Sequence, residues 1–199
     1  ETFTKKVRKT IFKETNDKFN DLYAYQRGNF LGNGLYNLSK FKITKKEFMP
    51  FKNCHSIQCA ASKGVLYMQV ELSDGVVIDT FNTHLQAYEK DANIRLKQLS
   101  ETKRFINKIN DGHLPILFVG DFNIIASTDE YSVLNNYLIG YKDVWLDFRP
   151  SDDGFTWNPD INDWAKFDQD ESVQKQRIDY IFVKDGEDYR WTVLETDIA

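Results

Sequence analysis

Three apolar runs in this chain each stop at a polar cluster: Phe81-Asn82-Thr83-His84, Phe118-Val119-Gly120-Asp121-Phe122-Asn123 and Arg177-Ile178-Asp179-Tyr180. A strand that ends this way fixes its last side chains on a rigid backbone and turns them towards a cleft, which is where layered α/β folds present their chemistry. The segments between the clusters agree with such a fold. Residues 65–72 alternate in polarity, and residues 76–82 follow after the turn Ser73-Asp74-Gly75, which predicts a hairpin. Residues 91–110 carry Ile94, Leu99, Phe105, Ile106 and Ile109 at helical spacing and end at Asp111-Gly112. Residues 115–119 are wholly apolar, as in a strand covered on both faces.

The remainder fills in a single α/β domain. Residues 1–21 read as a helix, with Phe3, Val7, Ile11 and Phe12 on one side and Lys5, Lys6, Arg8 and Lys9 on the other. Gly32-Asn33-Gly34 is a turn before a short strand at 35–38, and residues 40–62 read as a strand followed by a long loop. Ser127-Thr128-Asp129-Glu130 matches a capping box opening a helix through Leu138. Residues 177–183 and 189–194 read as the last strands. Phe, Tyr and Trp make up 15% of the 199 residues, enough for a sizeable core. The formal charge of −4 counts against a general polyanion binder. No apolar run approaches the length of a membrane span, and both a secreted and a cytoplasmic setting stay open. Cys54 and Cys59 are too few for a structural zinc site; they read as two unpaired loop thiols, with a local disulfide as the alternative.

Each polar cluster has a plain reading. A histidine closing a strand is often only a hydrogen-bonded structural residue, and Asp121-Phe122-Asn123 could be an ordinary Asx turn. In the functional reading Asp121 and Asn123 project from one face of an extended segment, with Gly120 allowing a tight turn before them. Asp179 between apolar neighbours is harder to dismiss, because a carboxylate facing a packed core needs a partner. Three such features in one order favour a shared site.

That order resembles the endonuclease/exonuclease/phosphatase (DNase-I-like) superfamily, over almost the whole chain. Gly120-Asp121-Phe122-Asn123 and Arg177-Ile178-Asp179-Tyr180 together carry the resemblance. Ala61-Ser62-Lys63-Gly64-Val65-Leu66-Tyr67 and Asn82-Thr83-His84-Leu85-Gln86-Ala87 are similar to neutral sphingomyelinases within it. The resemblance implies a four-layer α/β/β/α sandwich of two mixed β-sheets flanked by helices. It also implies a Mg²⁺-dependent phosphodiester hydrolase that converts sphingomyelin to ceramide and phosphocholine. On this basis Glu1 is the metal ligand, a hard oxygen donor suited to Mg²⁺. His84 donates to the scissile phosphate, Asp121 and Asn123 position the attacking water and a phosphate oxygen, and Asp179 orients a catalytic histidine. Residues 1–199 would form one catalytic domain without the family's first strand and its C-terminal Ser-Asp-His, so little activity is expected of this stretch alone.

Lys63 and Asn82 are candidate substrate contacts, although Lys63 reads more simply as a solvated loop lysine. Arg95 and Gln98 are expected to tie their helix to a neighbouring loop. Residues 41–51, with Lys42, Lys45 and Lys46, suit an edge hairpin guarded by lysines; contact with an anionic membrane surface is the alternative. Trp157 and Trp164 fall in a loop near the expected cleft. The rival functions are a nuclease of the same fold, disfavoured by the charge, and a catalytically silent binding domain. An inositol phosphatase fits the motifs less well.

Overall fold

The computed structural model describes residues 4–23, 32–166 and 174–198. Thr4 starts the first helix, α1 (Lys5–Thr15), by accepting a hydrogen bond from the Val7 amide at 3.3 Å. The helix ends well short of the predicted residue 21. Asn16 and Asp17 are poor helix formers, and the Asn20 amide bonds instead to the Ser39 carbonyl. That bond leads the chain into β1 (Asp21–Tyr23), which pairs antiparallel with β2 (Asn37–Ser39). Asp21 joins this small sheet to the main one, accepting from the Ile43 amide and from Lys46 Nζ.

The main sheet begins with β3 (Lys42–Pro50), after which a loop containing a 3₁₀ turn at Ser56–Ala60 leads to the predicted hairpin. The hairpin is β4 (Gly64–Glu71) and β5 (Val77–His84). A crossover helix, α2 (Ala92–Ile109), returns the chain to β6 (Ile116–Asp121), parallel to β5. α3 (Asp129–Tyr137), the two-residue β7 (Lys142–Asp143) and two short helices, α4 (Val144–Phe148) and α5 (Asp163–Lys166), precede β8 (Asp179–Lys184). The order is β3-β4-β5-β6-β8-β7; only β5 and β6 run parallel, so the sheet is mixed.

The two faces of this sheet differ. Towards α2 and α3, paired positions carry Phe81, Phe118 and Phe182, which join Leu99, Phe105, Phe122 and Leu134 in one buried cluster. Phe81 meets Phe105 and Phe118 edge-to-face with centroids 6.2 and 6.5 Å apart. Each fully buried ring contributes about 1.5–3 kcal/mol. The opposite face carries a smaller cluster, Ile43, Met68, Val70 and Ile78. His84 follows Ile78 by an even number of residues and so belongs to this second face, away from the helices.

Arg95 and Gln98 tie α2 to neighbouring loops, as expected. Arg95 bonds the Gln86 and Tyr88 carbonyls and pairs with Glu130, while Gln98 bonds the Gln86 amide and the Asn53 carbonyl. The pairing with Glu130 shifts the start of α3. Glu130 is drawn to Arg95, so the cap is Thr128, accepting from the Tyr131 amide, rather than Ser127 in a capping box. β3 is an edge strand, with Lys42 paired to Glu71 and Lys46 to Asp21. Residues 189–194 form no strand. β6 and β7 occupy both sides of β8, and the segment is held instead by Gly186 N to Tyr189 O and by Trp191 N to Asp185 Oδ1. No helix among the described residues is long and apolar enough to cross a membrane.

Candidate active site

Strand register gathers the three polar clusters. His84 faces Asp121 across the β5–β6 pair, and Asp121 faces Asp179 across the β6–β8 pair. Directly opposed residues in neighbouring strands share a face, so the three side chains form one row where β5 and β6 end and β8 begins. Gly120 makes this spacing workable. Its φ is +146°, and a Cβ there would collide with the Thr83 carbonyl of β5. Close strand approach, rather than a tight turn, is what requires glycine.

His84 Nε2 lies 3.3 Å from Asp121 Oδ2. The imidazole is 8% exposed. Burial, followed by the nearby Lys63 ammonium, lowers its pKa to about 3. Burial thus favours the neutral ring in its contact with the Asp121 carboxylate. Asp121 also closes a turn: its Oδ1 accepts the Asn123 amide at 2.8 Å. The Asx turn is thus present, and Asn123 adopts φ +51°, so it does not continue an extended segment on the face of Asp121. Asparagine tolerates that backbone better than most residues. Its Nδ2 donates to the Leu85 carbonyl at 3.1 Å, tying the loop after β6 to the loop after β5.

Lys63 reaches the same carbonyl. Its Nζ lies 2.7 Å from Leu85 O and 2.8 Å from Gln58 Oε1, and the residue is 7% exposed. The solvated-lysine reading is therefore incorrect, because burial of an ammonium demands such acceptors. Asn82, half-buried, lies on the His84 face and donates to Asn37 Oδ1 at 2.6 Å. Asp179 also departs from expectation. It is exposed to solvent rather than set in a core, yet enough protein surrounds it that desolvation raises its carboxyl pKa, opposed by a hydrogen bond from Thr156. Glu1 lies outside the described residues, as does the side chain of Trp164. Trp157 is bridged to Gln176 just before β8.

Several site neighbours are given no role from the sequence. Cys54 and Cys59 form a disulfide, not two free thiols. The loop they close is pinned to the chain after His84: Gln58 Oε1 accepts the Ala87 amide, Gln86 Oε1 accepts the His55 amide, and His55 Nδ1 lies 2.8 Å from Asp91. Arg177, three per cent exposed, pairs with Asp143 at 2.8 Å and lies over the rings of Tyr131 and Tyr180. It anchors the start of β8 two residues before Asp179. Among the described residues no group of three or more His, Cys, Asp or Glu is arranged to hold a metal ion. The oxygen donors Asp121 and Asp179 nevertheless suit a hard cation that keeps several waters, as Mg²⁺ does.

Among the described residues the strands form a six-stranded mixed sheet, with helices against one of its faces, and a two-stranded antiparallel sheet. No family model matches the chain. Beta toxin from Staphylococcus aureus, solved with bound magnesium ions, aligns over 96% of this chain and 71% of its own, with a TM-score of 0.79 and 20% identity. Danio rerio TDP2, solved with a single-strand DNA product, aligns over 94% of this chain and 70% of its own, with a TM-score of 0.73 and 18% identity. In sequence, a sphingomyelinase of Mycobacterium tuberculosis is 29% identical over 115 residues, 57% of this chain and 23% of that protein. The inositol phosphosphingolipids phospholipase C of Schizosaccharomyces pombe is 26% identical over 186 residues, 76% of this chain and 43% of that protein. The chain thus spans less than half the length of these relatives. The fold is DNase-I-like, and in fold and sequence the chain is similar to sphingomyelinases.

Proposed function

We propose that this protein is a Mg²⁺-dependent phosphodiester hydrolase that cleaves sphingomyelin, or a close sphingophospholipid, on the phosphate–ceramide side. The observation that carries this reading is the single row of His84, Asp121 and Asp179 across three neighbouring strands. The likeness to sphingolipid-cleaving relatives selects the substrate class. Glu1, with the acids of the row, would hold Mg²⁺, which supplies charge neutralisation at the phosphate. Asp121, fixed by its turn to Asn123, accepts a hydrogen bond from the attacking water and orients it in line with phosphorus. Asn123, anchored at Leu85, holds the far side of that position. His84 is neutral and buried, so its N–H can turn from Asp121 to a phosphoryl oxygen as negative charge grows there. Asp179 would orient the C-terminal catalytic histidine that the family resemblance implies and stabilise its charged form. Lys63 contributes through Leu85 and Asn123, and Asn82 borders the leaving group.

The test, made on the full-length protein, compares release of phosphocholine from sphingomyelin vesicles with nicking of plasmid DNA, each with Mg²⁺ and with chelator. Chelator-sensitive phosphocholine release that His84→Ala abolishes is the expected result. DNA nicking in its place would move the protein to the nuclease reading, which the likeness to TDP2 motivates. Turnover of neither substrate would leave a binding domain.

A further inference from the structure

Two large apolar side chains stand in solvent beside the site, on separate loops that are fastened to each other. Ile57 is 80% exposed and Tyr88 62%. Ile57 lies at the tip of the loop closed by Cys54–Cys59, and Tyr88 lies four residues after His84. Gln58 Oε1 accepts the Ala87 amide at 3.0 Å, so the residues next to Ile57 and Tyr88 are bonded directly. Gln58 also holds Lys63, whose Nζ reaches the Leu85 carbonyl shared with Asn123. The exposed pair is therefore built into the same hydrogen-bonded cluster as the candidate site.

Each stands on or next to a backbone position of unfavourable φ, Ser56 beside Ile57 and Tyr88 itself. Ser56 has φ +58° and Tyr88 φ +72°, a region that non-glycine residues rarely occupy. The second network keeps them there: Gln86, buried beneath the loops, bonds both the amide and the carbonyl of His55, and Asp91 holds its ring. An apolar pair that served only packing would turn inward on loops so firmly fixed.

We propose that Ile57 and Tyr88 form a rim that inserts into the lipid surface and sets the site against its substrate. The proposal rests on the reading of the substrate as a membrane lipid. Two protruding side chains fall far short of the ~1,000 Å² that a stable protein interface needs, whereas shallow insertion needs only a few apolar groups at a fixed height. Tyrosine, with an apolar ring and a polar tip, suits the interfacial layer. Lys90, whose Nζ lies 5.8 Å from the Tyr88 ring centroid, can cover the ring with its stem and keep its charge among head groups.

The experiment is co-sedimentation of the intact protein with sphingomyelin–phosphatidylcholine vesicles, beside hydrolysis of a soluble diester, bis-p-nitrophenyl phosphate. Ile57→Asp with Tyr88→Asp is expected to lower the vesicle-bound fraction at least tenfold and to leave soluble-diester turnover within twofold. Ile139→Asp is the control: it is 75% exposed and lies near Lys142, which pairs towards the far end of β8. That control should bind as wild type does. Binding that survives the double substitution, or falls equally in the control, overturns the proposal. A parallel loss of soluble turnover shows damage to the site and also overturns it. Should the same double substitution instead dissociate a dimer in sedimentation velocity, the rim is a self-association surface. Vesicle binding lost in the double variant of a protein that never cleaves sphingomyelin supports the rim and refutes only the proposed substrate.

Discussion

His84 Nε2 and Asp121 Oδ2 meet at 3.3 Å because their residues are register partners at the last step of the β5–β6 ladder. One carboxylate thus serves two partners, the imidazole through Oδ2 and the Asn123 amide through Oδ1. Asp121→Asn keeps the shape and the Oδ1 turn but changes the charge facing the site. Turnover of the phosphodiester substrate is expected to fall by about 10²–10⁴-fold, the range for loss of a positioned acid–base group. The melting temperature should move little. A variant with a lowered melting temperature and intact turnover would mean that Asp121 only closes a turn.

The same burial predicts how stability varies with pH. The folded-state pKa of His84 is lowered to about 3, against 6.5 in the unfolded chain. Below pH 6.5 the unfolded chain takes up a proton that the folded protein refuses, so this stabilisation is complete above 6.5 and declines as pH falls towards the folded value. The slope is at most one proton, about 1.4 kcal/mol per pH unit. Urea unfolding of wild type and His84→Gln at pH 7.5 and 5 should show a steeper acid decline in wild type. Equal slopes would mean that a charged ring is tolerated at this position.

Much of this arrangement could be read in the sequence because it depends on short-range patterns. The alternation of residues 65–72, the helical spacing of 91–110 and the apolar run at 115–119 specify elements whose burial follows from period alone. What they could not specify depends on partners far along the chain. Lys63 reads as a loop lysine until Leu85 and Gln58 are brought to it, and Asp179 reads as core until the sheet end leaves it open. β1 and β7 are too short for a period to show, and residues 189–194 have strand composition without a free strand edge. The Asx turn that competed with the functional reading of Asp121 proved compatible with it, since the two carboxylate oxygens act separately.

Gly120 carries a backbone requirement that can be measured. At φ +146°, with the Thr83 carbonyl where a Cβ would lie, Gly120→Ala must separate β5 from β6 at the step beneath His84 and Asp121. A loss of about 2–4 kcal/mol in unfolding free energy is expected, within the range for strained or overpacked positions. Gly112→Ala is a comparison, since its Cβ would meet open space and only its positive φ opposes the change. If Gly120→Ala costs no more than Gly112→Ala, strand proximity does not constrain the site.

The Arg177–Asp143 pair is almost fully buried, with side-chain exposures of 3% and 7%. Removing only one charge leaves the other desolvated, at a cost of about 3–5 kcal/mol. Arg177→Met and Asp143→Leu should each be destabilising on that scale in urea unfolding, and the double variant less so than their sum. Arg177→Lys keeps the charge but loses the planar group that lies over the rings of Tyr131 and Tyr180. It should fall between wild type and Arg177→Met. Strict additivity of the two single losses would show that the pair is not coupled.

The Cys54–Cys59 disulfide closes a loop whose other fastenings are hydrogen bonds to the segment after His84. Cross-linking so short a loop is worth about 2 kcal/mol in the chain-entropy account. That amount acts on opening of the loop, because the strands beneath have their own ladder and core. Reduction, or Cys54→Ser with Cys59→Ser, should therefore speed amide exchange at His55 and Ala87, whose N–H groups bond Gln86 and Gln58. Exchange at Phe81 and Phe118, in the centre of the sheet, should stay unchanged. Unchanged protection at His55 and Ala87 after reduction would show that the hydrogen bonds alone hold the loop, while lost protection at Phe81 would show that the disulfide supports the whole domain.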